Sequence, residues 1–164
     1  MLCERAADQM SRILSDRRVV SCASAGVILA VIGYLFPLSM FSGESDMHML
    51  MVNWTEYSAG ILVLTSAAKL FLVNICIRLG WRGGSIFPVL FAGTTLGYAF
   101  ALVSGMDGTF AVAVTAAALY GFIQRKPLTV TAVLLLCFPL SYVVPVGVTA
   151  FLVSRIPFLK PGEV

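Results

Sequence analysis

Four long apolar runs dominate the pattern of the 164-residue chain. They cover Val19 to Phe41, Tyr57 to Leu79, Phe87 to Val103, and Phe110 to Val153, the last broken near Arg125-Lys126-Pro127. A helix needs about 20 apolar residues to cross a bilayer, and the first two runs reach that length. The third run begins with helix breakers, and prolines split the fourth, so we expect tilted, half-spanning or re-entrant helices there. The pattern predicts an all-α, multi-spanning membrane protein with broken helices.

Composition supports this class. The chain is 59% hydrophobic and 12% charged, with a mean hydropathy of +0.95, whereas soluble domains average about 25% charged residues. The net charge of +3 is small, and the basic residues lie in short loops instead of a dense block, so we expect no nucleic-acid partner. We expect one membrane domain over residues 19–156, preceded by a cytoplasmic segment (1–18) and followed by a tail (157–164).

The charges flanking the first run predict its orientation. Basic residues precede it and acidic residues follow it: Arg12, Arg17 and Arg18, then Glu44, Asp46 and Glu56. By the positive-inside rule, the amino terminus is cytoplasmic and the loop from Ser42 to Glu56 lies outside. Residues Met1 to Arg18 lack the apolar core of a cleavable signal, so we expect the first run itself to direct insertion.

The residues that could bind metal are scattered. Cys3, Cys22, Cys76 and Cys137 lie far apart, so we interpret them as packing residues. His48 has no second ligand type at metal-site spacing, so we interpret it as a loop histidine and expect no metal site.

Lys69 lies near the middle of the second run, where a lysine costs about 2.5–3.5 kcal/mol on insertion scales. We therefore expect this buried basic residue to face protein or water. Ser66 precedes it by three residues, the Ser-x-x-Lys spacing in which lysine can activate a serine nucleophile. An intramembrane hydrolase using this pair is one alternative, and an interior lysine that pairs with a carbonyl or tunes an ion path is the other.

A glycine-rich break precedes the third run. In GWRGGSIFPVLFAGTTLG (Gly80 to Gly97), Gly83 and Gly84 permit torsions and close approaches that other residues resist. Pro88 suits the first position of a helix. We therefore expect a helix that begins within the membrane at about Pro88 and aims its unpaired N–H groups and positive dipole end at one point, which attracts anions. The alternative is that the glycine pair only turns the chain.

Gly93 and Gly97 form a G-x-x-x-G on the same helix, which lets a second helix pack closely. Together with the break, this spacing predicts a helix that begins within the membrane and is held there by close packing against a second helix.

At these residues the chain resembles a known family. GGSIFPVLFAGTTLG is similar to the G-G-x-F-x-P-x-L-x-x-G-x-x-x-G segment of the CLC family of chloride channels and chloride/proton antiporters. FPLSMFSGE (Phe36 to Glu44) and RKPLT (Arg125 to Thr129) resemble two further family segments in the same order, and Lys69 falls where relatives tend to carry a basic residue. The resemblance runs from about Arg12 to Ile156 and covers only the carboxy-terminal half of a family member.

The resemblance implies half of a CLC-type inverted-repeat fold that transports chloride, without a cofactor and without enzymatic activity. The implied anion-binding element is the backbone at Gly84, Ser85 and Ile86. The residues that start and pack its helix are Gly83, Pro88, Gly93 and Gly97. Further implied partners are the lipid bilayer of a bacterial inner membrane, a first-half CLC segment and a second copy of the chain.

The chain departs from the family pattern at several points. The phenylalanine expected at position 86 is displaced to Phe87, although a backbone amide does not depend on its side chain. The first-half signatures G-S-G-I-P and G-[RK]-E-G-P are absent, and so is the final helix with its anion-coordinating tyrosine, which Tyr98, Tyr120 and Tyr142 do not match. The choice between channel and antiporter depends on glutamates that this sequence lacks. A truncated or split CLC-like protein without transport activity of its own is therefore a further alternative.

Overall fold

The computed structural model describes residues 18–35, 44–81, 83–84 and 86–156, and within these ranges the chain is helical, with no strand. The seven α-helices are α1 (Arg18–Leu35), α2 (Glu44–Asn53), α3 (Ala59–Arg78), α4 (Ile86–Ser104), α5 (Gly108–Gln124), α6 (Pro127–Leu135) and α7 (Val143–Ser154). Short 3₁₀ turns, Trp54–Glu56 and Leu140–Tyr142, precede α3 and α7. The prediction of an all-α fold is confirmed. The two expected terminal segments, 1–17 and 157–164, lie outside the described residues.

Two described helices, α3 and α4, are long and apolar enough to cross a membrane by length and composition. The predicted second span agrees with α3, which Ser58 caps by accepting a hydrogen bond from the N–H of Ile61 at 3.3 Å. The third apolar run, for which we expected a half-spanning, tilted or re-entrant helix, forms α4. This helix has 19 residues and rises about 28 Å, close to the thickness of a hydrocarbon core. Gly83 and Gly84 lie ahead of the helix and Pro88 lies in its first turn, so these residues do not shorten it.

The fourth apolar run is divided, as predicted. It forms α5 with 17 residues, α6 with 9 and α7 with 12. The first division falls at Arg125, whose φ of 56° ends α5 in the left-handed region and whose N–H bonds the carbonyl of Gly121 at 3.0 Å. Pro127 then begins α6, where its missing N–H is no loss.

A tight hairpin joins α4 to α5. Gly105 ends α4 with a φ of +69°, and its N–H bonds the carbonyl of Ala101 at 2.8 Å. Asp107 then caps α5, because its Oδ1 accepts from the N–H of Phe110 at 2.9 Å. The two helices run antiparallel and pack more extensively against each other than any other pair.

The core lies around α4 and α5. One cluster joins α4 and α5 to α6 and α7, and its members are Val89, Leu90, Ala113, Ala116, Ala117, Tyr120, Val130, Leu134, Val146 and Ala150. A second cluster joins α2 and α3 to α4 and α5 through Leu50, Leu62, Phe91, Tyr98, Ala99 and Val112. Helices α4 and α5 contribute to both clusters, so this pair forms the centre of the described part.

The expected loop from Ser42 to Glu56 is instead largely helical, because it contains α2 and a 3₁₀ turn. Leu50 is fully buried against Phe91 and its neighbours, which stabilises a helix in a segment whose polar residues suggested a loop. His48 therefore lies on a helix, where it is exposed. Within the described ranges no three His, Cys, Asp or Glu side chains come close enough to hold a metal ion.

Charged residues separate by end of the helix bundle. Contacts between Trp81 and Cys22, and between Arg125 and Ser154, bring the start of α1 and the ends of α3, α5 and α7 to one end. That end carries the basic residues Arg18, Arg78, Arg125, Lys126 and Arg155. Glu56 and Asp107 lie at the opposite end, next to the α4–α5 hairpin. The connection from α3 to α4 therefore lies at the basic end.

Candidate functional site

The connection between α3 and α4 begins with a specific helix stop. Gly80 has a φ of +98°, and its N–H bonds the carbonyl of Ile77 at 3.2 Å, while the N–H of Trp81 bonds the carbonyl of Cys76 at 2.9 Å. This pair of bonds is the Schellman motif, which satisfies carbonyls left unpaired at a helix end. The left-handed glycine of the connection is thus Gly80, which the sequence did not single out.

Helix α1 holds this connection in place. The indole N–H of Trp81 donates to the carbonyl of Cys22 at 3.1 Å, and the hydroxyl of Ser21 donates to the carbonyl of Leu79 at 3.0 Å. The sequence signal for this helix stop was Gly80 followed by Trp81, because an apolar residue after the glycine often accompanies a Schellman motif.

The next residues are open to their surroundings. Gly83 and Gly84 are exposed, and a Cβ added to either would meet nothing within 4 Å. Neither has a positive φ. The described residues thus leave room for side chains at both positions, and the predicted role of these glycines in anion binding stays a prediction. Ser85 lies outside the described residues.

Helix α4 begins at Ile86, not at Pro88 as predicted. Pro88 is the third residue of the helix, where its missing N–H is still one of the unpaired donors of the first turn. Ile86 and Phe87 are 38% and 56% exposed. No acidic side chain lies in the first turn of α4, so the positive end of its dipole is not neutralised from within.

Gly93 and Gly97 lie at the interface of α4 with α5. A Cβ at Gly93 would lie 2.7 Å from Cα of Ala116, and one at Gly97 would lie 2.5 Å from Cα of Val112. The hydroxyl of Thr115 is 3.0 Å from the carbonyl oxygen of Gly93, a contact that the sequence did not indicate. Only glycine permits this approach of the two backbones.

Lys69 is buried on the other side of α4. Its side chain is 1% exposed, and its Nζ lies 5.2 Å from the centroid of the Phe91 ring. Ser66, one turn earlier on α3, donates its hydroxyl to the carbonyl of Ala92 at 2.8 Å. The structure thus brings Lys69 close to α4, but it brings together no other predicted site residues from separate helices.

Taken together, the amino end of α4 is open, faces the basic end of the molecule, and has an interior lysine behind it. Unpaired N–H groups, a positive dipole end and a nearby cation are features that favour binding of an anion.

Comparison with known proteins agrees with the resemblance. The family model described as voltage gated chloride channel matches residues 2–156. YfeO of Escherichia coli O1:K1, provisionally assigned as an ion-transport protein, is 34% identical over 73 residues, which are 44% of this chain and 17% of that protein. The H⁺/Cl⁻ exchange transporter ClcA of Vibrio cholerae serotype O1 is 37% identical over 81 residues, again 44% of this chain and 17% of the relative.

These alignments cover less than a fifth of the length of either relative. No solved structure matches the chain. The family match, in contrast, extends over nearly the whole sequence. The protein therefore belongs to the voltage-gated chloride channel family, the CLC family, whose members are integral membrane proteins that transport ions.

Proposed function

We propose that this chain supplies one wall of a chloride-binding site in a CLC-type transport protein, with the backbone amides at Gly84, Ser85 and Ile86 as ligands. The observation that carries the proposal is the open amino end of α4. Gly83 and Gly84 are exposed, and among the described residues no atom lies within 4 Å of the positions that their Cβ atoms would take. An anion needs such room to reach backbone N–H groups, so the local geometry permits the proposed contact.

Electrostatics support an anion over a cation at this position. The first turn of α4 carries no acidic residue, and the acidic residues Glu56 and Asp107 lie at the far end of the bundle. Chloride would exchange part of its hydration shell for N–H groups and the helix end, without covalent chemistry. The basic end of the bundle is the cytoplasmic end on the positive-inside rule, and we place the protein in a bacterial inner membrane.

A mid-membrane position for this site sets a condition on α4. A helix that rises about 28 Å cannot begin at half depth and run along the membrane normal without passing the far surface of the hydrocarbon core. The proposal therefore requires α4 to be strongly tilted, which agrees with the tilted helices implied by the family resemblance.

The opposite wall of the site must come from outside the described residues. Ile86 and Phe87 expose apolar surface beside the proposed amides, and the relatives are much longer than the stretches that match. We propose that a first-half CLC segment covers this face. Leu128 and Leu136, which are 86% and 87% exposed on and beside α6, are available for lipid or for a second copy of the chain in a homodimer.

The hydrolase alternative receives no support from Ser66. Its hydroxyl donates to the carbonyl of Ala92, and its side chain is only 3% exposed. A nucleophile requires access to a substrate and a base directed at its proton. We therefore propose that Ser66 joins α3 to α4 and that the protein is not an enzyme.

Chloride flux in liposomes tests the proposed function. The chain is reconstituted alone and after co-expression with a first-half CLC segment that carries the family's glutamate motif, and proton movement is followed in parallel. We expect chloride flux only with the partner, and proton flux in the opposite direction would identify an exchanger. Binding of the partner without any chloride flux or chloride binding would instead indicate a CLC-like protein that does not transport.

A further inference from the structure

Helix α2 carries a concentration of soft metal ligands. Its segment MHMLM, residues 47–51, contains the chain's single histidine and three of its seven methionines. Thioether sulfur is a soft ligand that favours Cu(I), and imidazole also suits copper. Zinc, in contrast, is bound by thiolate, imidazole and carboxylate. The absence of a cluster of His, Cys, Asp and Glu among the described residues therefore does not bear on a site made with thioethers.

The helical register places Met47, His48 and Met51 on one face of α2, which we call the Met–His face. Residues three and four positions apart are neighbours on a helix, with Cβ atoms about 5–6 Å apart. Met51 is four residues beyond Met47 and three beyond His48, so it neighbours both. The flexible methionine side chains can reach a common ion over such separations. Met49 is two residues from either methionine, so it does not lie on this face.

The packing of α2 holds one edge of the Met–His face and leaves the rest accessible. Leu50 is fully buried in the cluster formed with α3, α4 and α5, and Met47 and Trp54 are partly buried against the same cluster. Met51 is 47% exposed, and His48 is exposed as well. An ion can therefore reach the face from outside, while the helix that carries it is fixed to the core.

The charge at this end of the bundle favours a cation. Trp54 follows α2 directly and stacks on Tyr98 of α4, with ring centroids 5.1 Å apart. A Cβ at Gly108 would lie 3.2 Å from the same indole, so α2 ends beside the α4–α5 hairpin. The acidic residues Glu56 and Asp107 lie at this end of the bundle. Helix α2 therefore lies in the acidic part of the molecule, which attracts cations.

We propose that Met47, His48 and Met51 form a binding site for Cu(I), with two thioether sulfurs and one imidazole nitrogen as ligands. Copper is the metal that suits both ligand types. Thioethers, unlike thiols, do not have to lose a proton before they bind a metal. The site lies at the end of the bundle opposite to the amino end of α4, so it does not depend on the proposed chloride site.

Silver(I) is the probe for this site, because it shares the preference of Cu(I) for soft ligands and is not oxidised by air. The full chain is purified in detergent and titrated with silver nitrate in a chloride-free buffer, since chloride precipitates silver. Titration calorimetry gives the affinity, and NMR of carbon-13-labelled methionine methyl groups identifies the methionines that bind. Met51→Leu and His48→Gln each remove one proposed ligand. Met49→Leu is the matched control, because it removes a methionine that is 59% exposed but lies outside the Met–His face.

We expect Met51→Leu and His48→Gln to weaken silver binding by about tenfold or more, since loss of a mere outer-shell partner already costs about 10–100-fold in metal affinity. Met49→Leu should bind silver as the wild-type chain does. Silver should shift the methyl signals of Met47 and Met51 and leave that of Met49 in place. It should also raise the melting temperature of the wild-type chain more than that of Met51→Leu, because a ligand stabilises the state that binds it.

Three results would overturn the proposal. Equal silver affinity of the wild-type chain, Met51→Leu and His48→Gln would assign the metal to other residues, such as the cysteines. Equal shifts of all three methionine signals would show unspecific contact of silver with exposed thioethers. Cu(I), kept reduced by ascorbate, should displace silver from the same methyl groups, and failure to do so would exclude copper. The methyl shifts are measured on the unsubstituted chain, so they decide the question even where a variant is unstable.

Discussion

Two pairs of glycines lie on or just before α4, and their surroundings differ. Gly93 and Gly97 are buried, and added Cβ atoms would collide with the backbone of α5 at 2.7 and 2.5 Å. Gly83 and Gly84 are exposed, and added Cβ atoms would meet nothing within 4 Å. The first pair is required by the chain's own packing. The second pair is not, so its use must be sought in something that approaches from outside.

The comparison changes how the glycine-rich segment is interpreted. From the sequence, the pair at 83 and 84 was the clearest backbone anomaly, and the pair at 93 and 97 was a common packing motif. In the structure the anomalous backbone belongs to Gly80, with its φ of +98°. Substitutions can therefore separate the two kinds of glycine, one pair through stability and the other through binding.

The largest effect is expected at the buried pair. In Gly97→Ala the new methyl group would overlap the backbone of Val112, which can move only if α4 and α5 separate. Overpacking of this kind costs about 1–3 kcal/mol or more. Thermal unfolding in detergent should show a clear loss of stability. Gly60→Ala on α3, where the methyl group meets nothing within 4 Å, is the matched control and should leave the melting temperature unchanged or raised. Equal effects of the two substitutions would refute the close approach of α4 and α5.

The next effect concerns the open pair. Gly84→Val should leave the melting temperature unchanged, because the described structure has room for the side chain. Chloride binding should weaken by about tenfold or more, since a branched side chain would block the path to amides whose hydrogen bonds to an ion contribute about 1.5–3 kcal/mol. Titration calorimetry and thermal unfolding on the same samples check both statements. A Gly84→Val protein that unfolds early would show that this glycine, like Gly97, is structural.

The smallest effects are expected where the amides remain in place. Pro88→Ala should weaken chloride binding by roughly two- to fivefold, because the helix start is less rigid when φ is no longer fixed. Ser85→Ala should be milder still, because the proposed ligand is the backbone N–H. Chloride titrations of both variants beside Gly84→Val test the order. A Ser85→Ala defect as severe as that of Gly84→Val would mean that the hydroxyl binds the ion and that the backbone account is mistaken.

The sequence predicted those helix boundaries that are set by neighbouring residues, such as a cap or a proline. The span that became α3 has an uninterrupted apolar run and a serine cap at Ser58. The division of the last run at Arg125 and Lys126 was equally visible, because proline follows directly. The start of α4 was misplaced by two residues, since proline is tolerated throughout the first turn of a helix.

Contacts between distant residues account for what the sequence could not predict. Helix α2 was taken for a loop, because nothing near Leu50 in the sequence shows that it packs against Phe91. The three glycines at 80, 83 and 84 look alike in the sequence. The φ of +98° at Gly80 shows which of them ends α3. The bond from Trp81 to Cys22, 59 residues away, shows that helix α1 supports this helix end. The depth of Lys69 was predictable from its position in an apolar run, but its place behind the α4 opening required the register of α3 and α4.

The hydrogen bond between Trp81 and Cys22 can form early in synthesis, because both residues precede α4 in the chain. Helix α1 and the end of α3 are made before α4, so the support of the connection exists before the helix that it aims. The close packing of α4 against α5 forms later, because Gly93 and Gly97 contact Ala116 and Val112 of α5. At about 5–20 residues per second, the 35 residues from Trp81 to Ala116 take roughly two to seven seconds to synthesise. During that interval only α1 and α3 support the amino end of α4. A ribosome that pauses within α5 would therefore leave α4 without the helix that packs against Gly93 and Gly97.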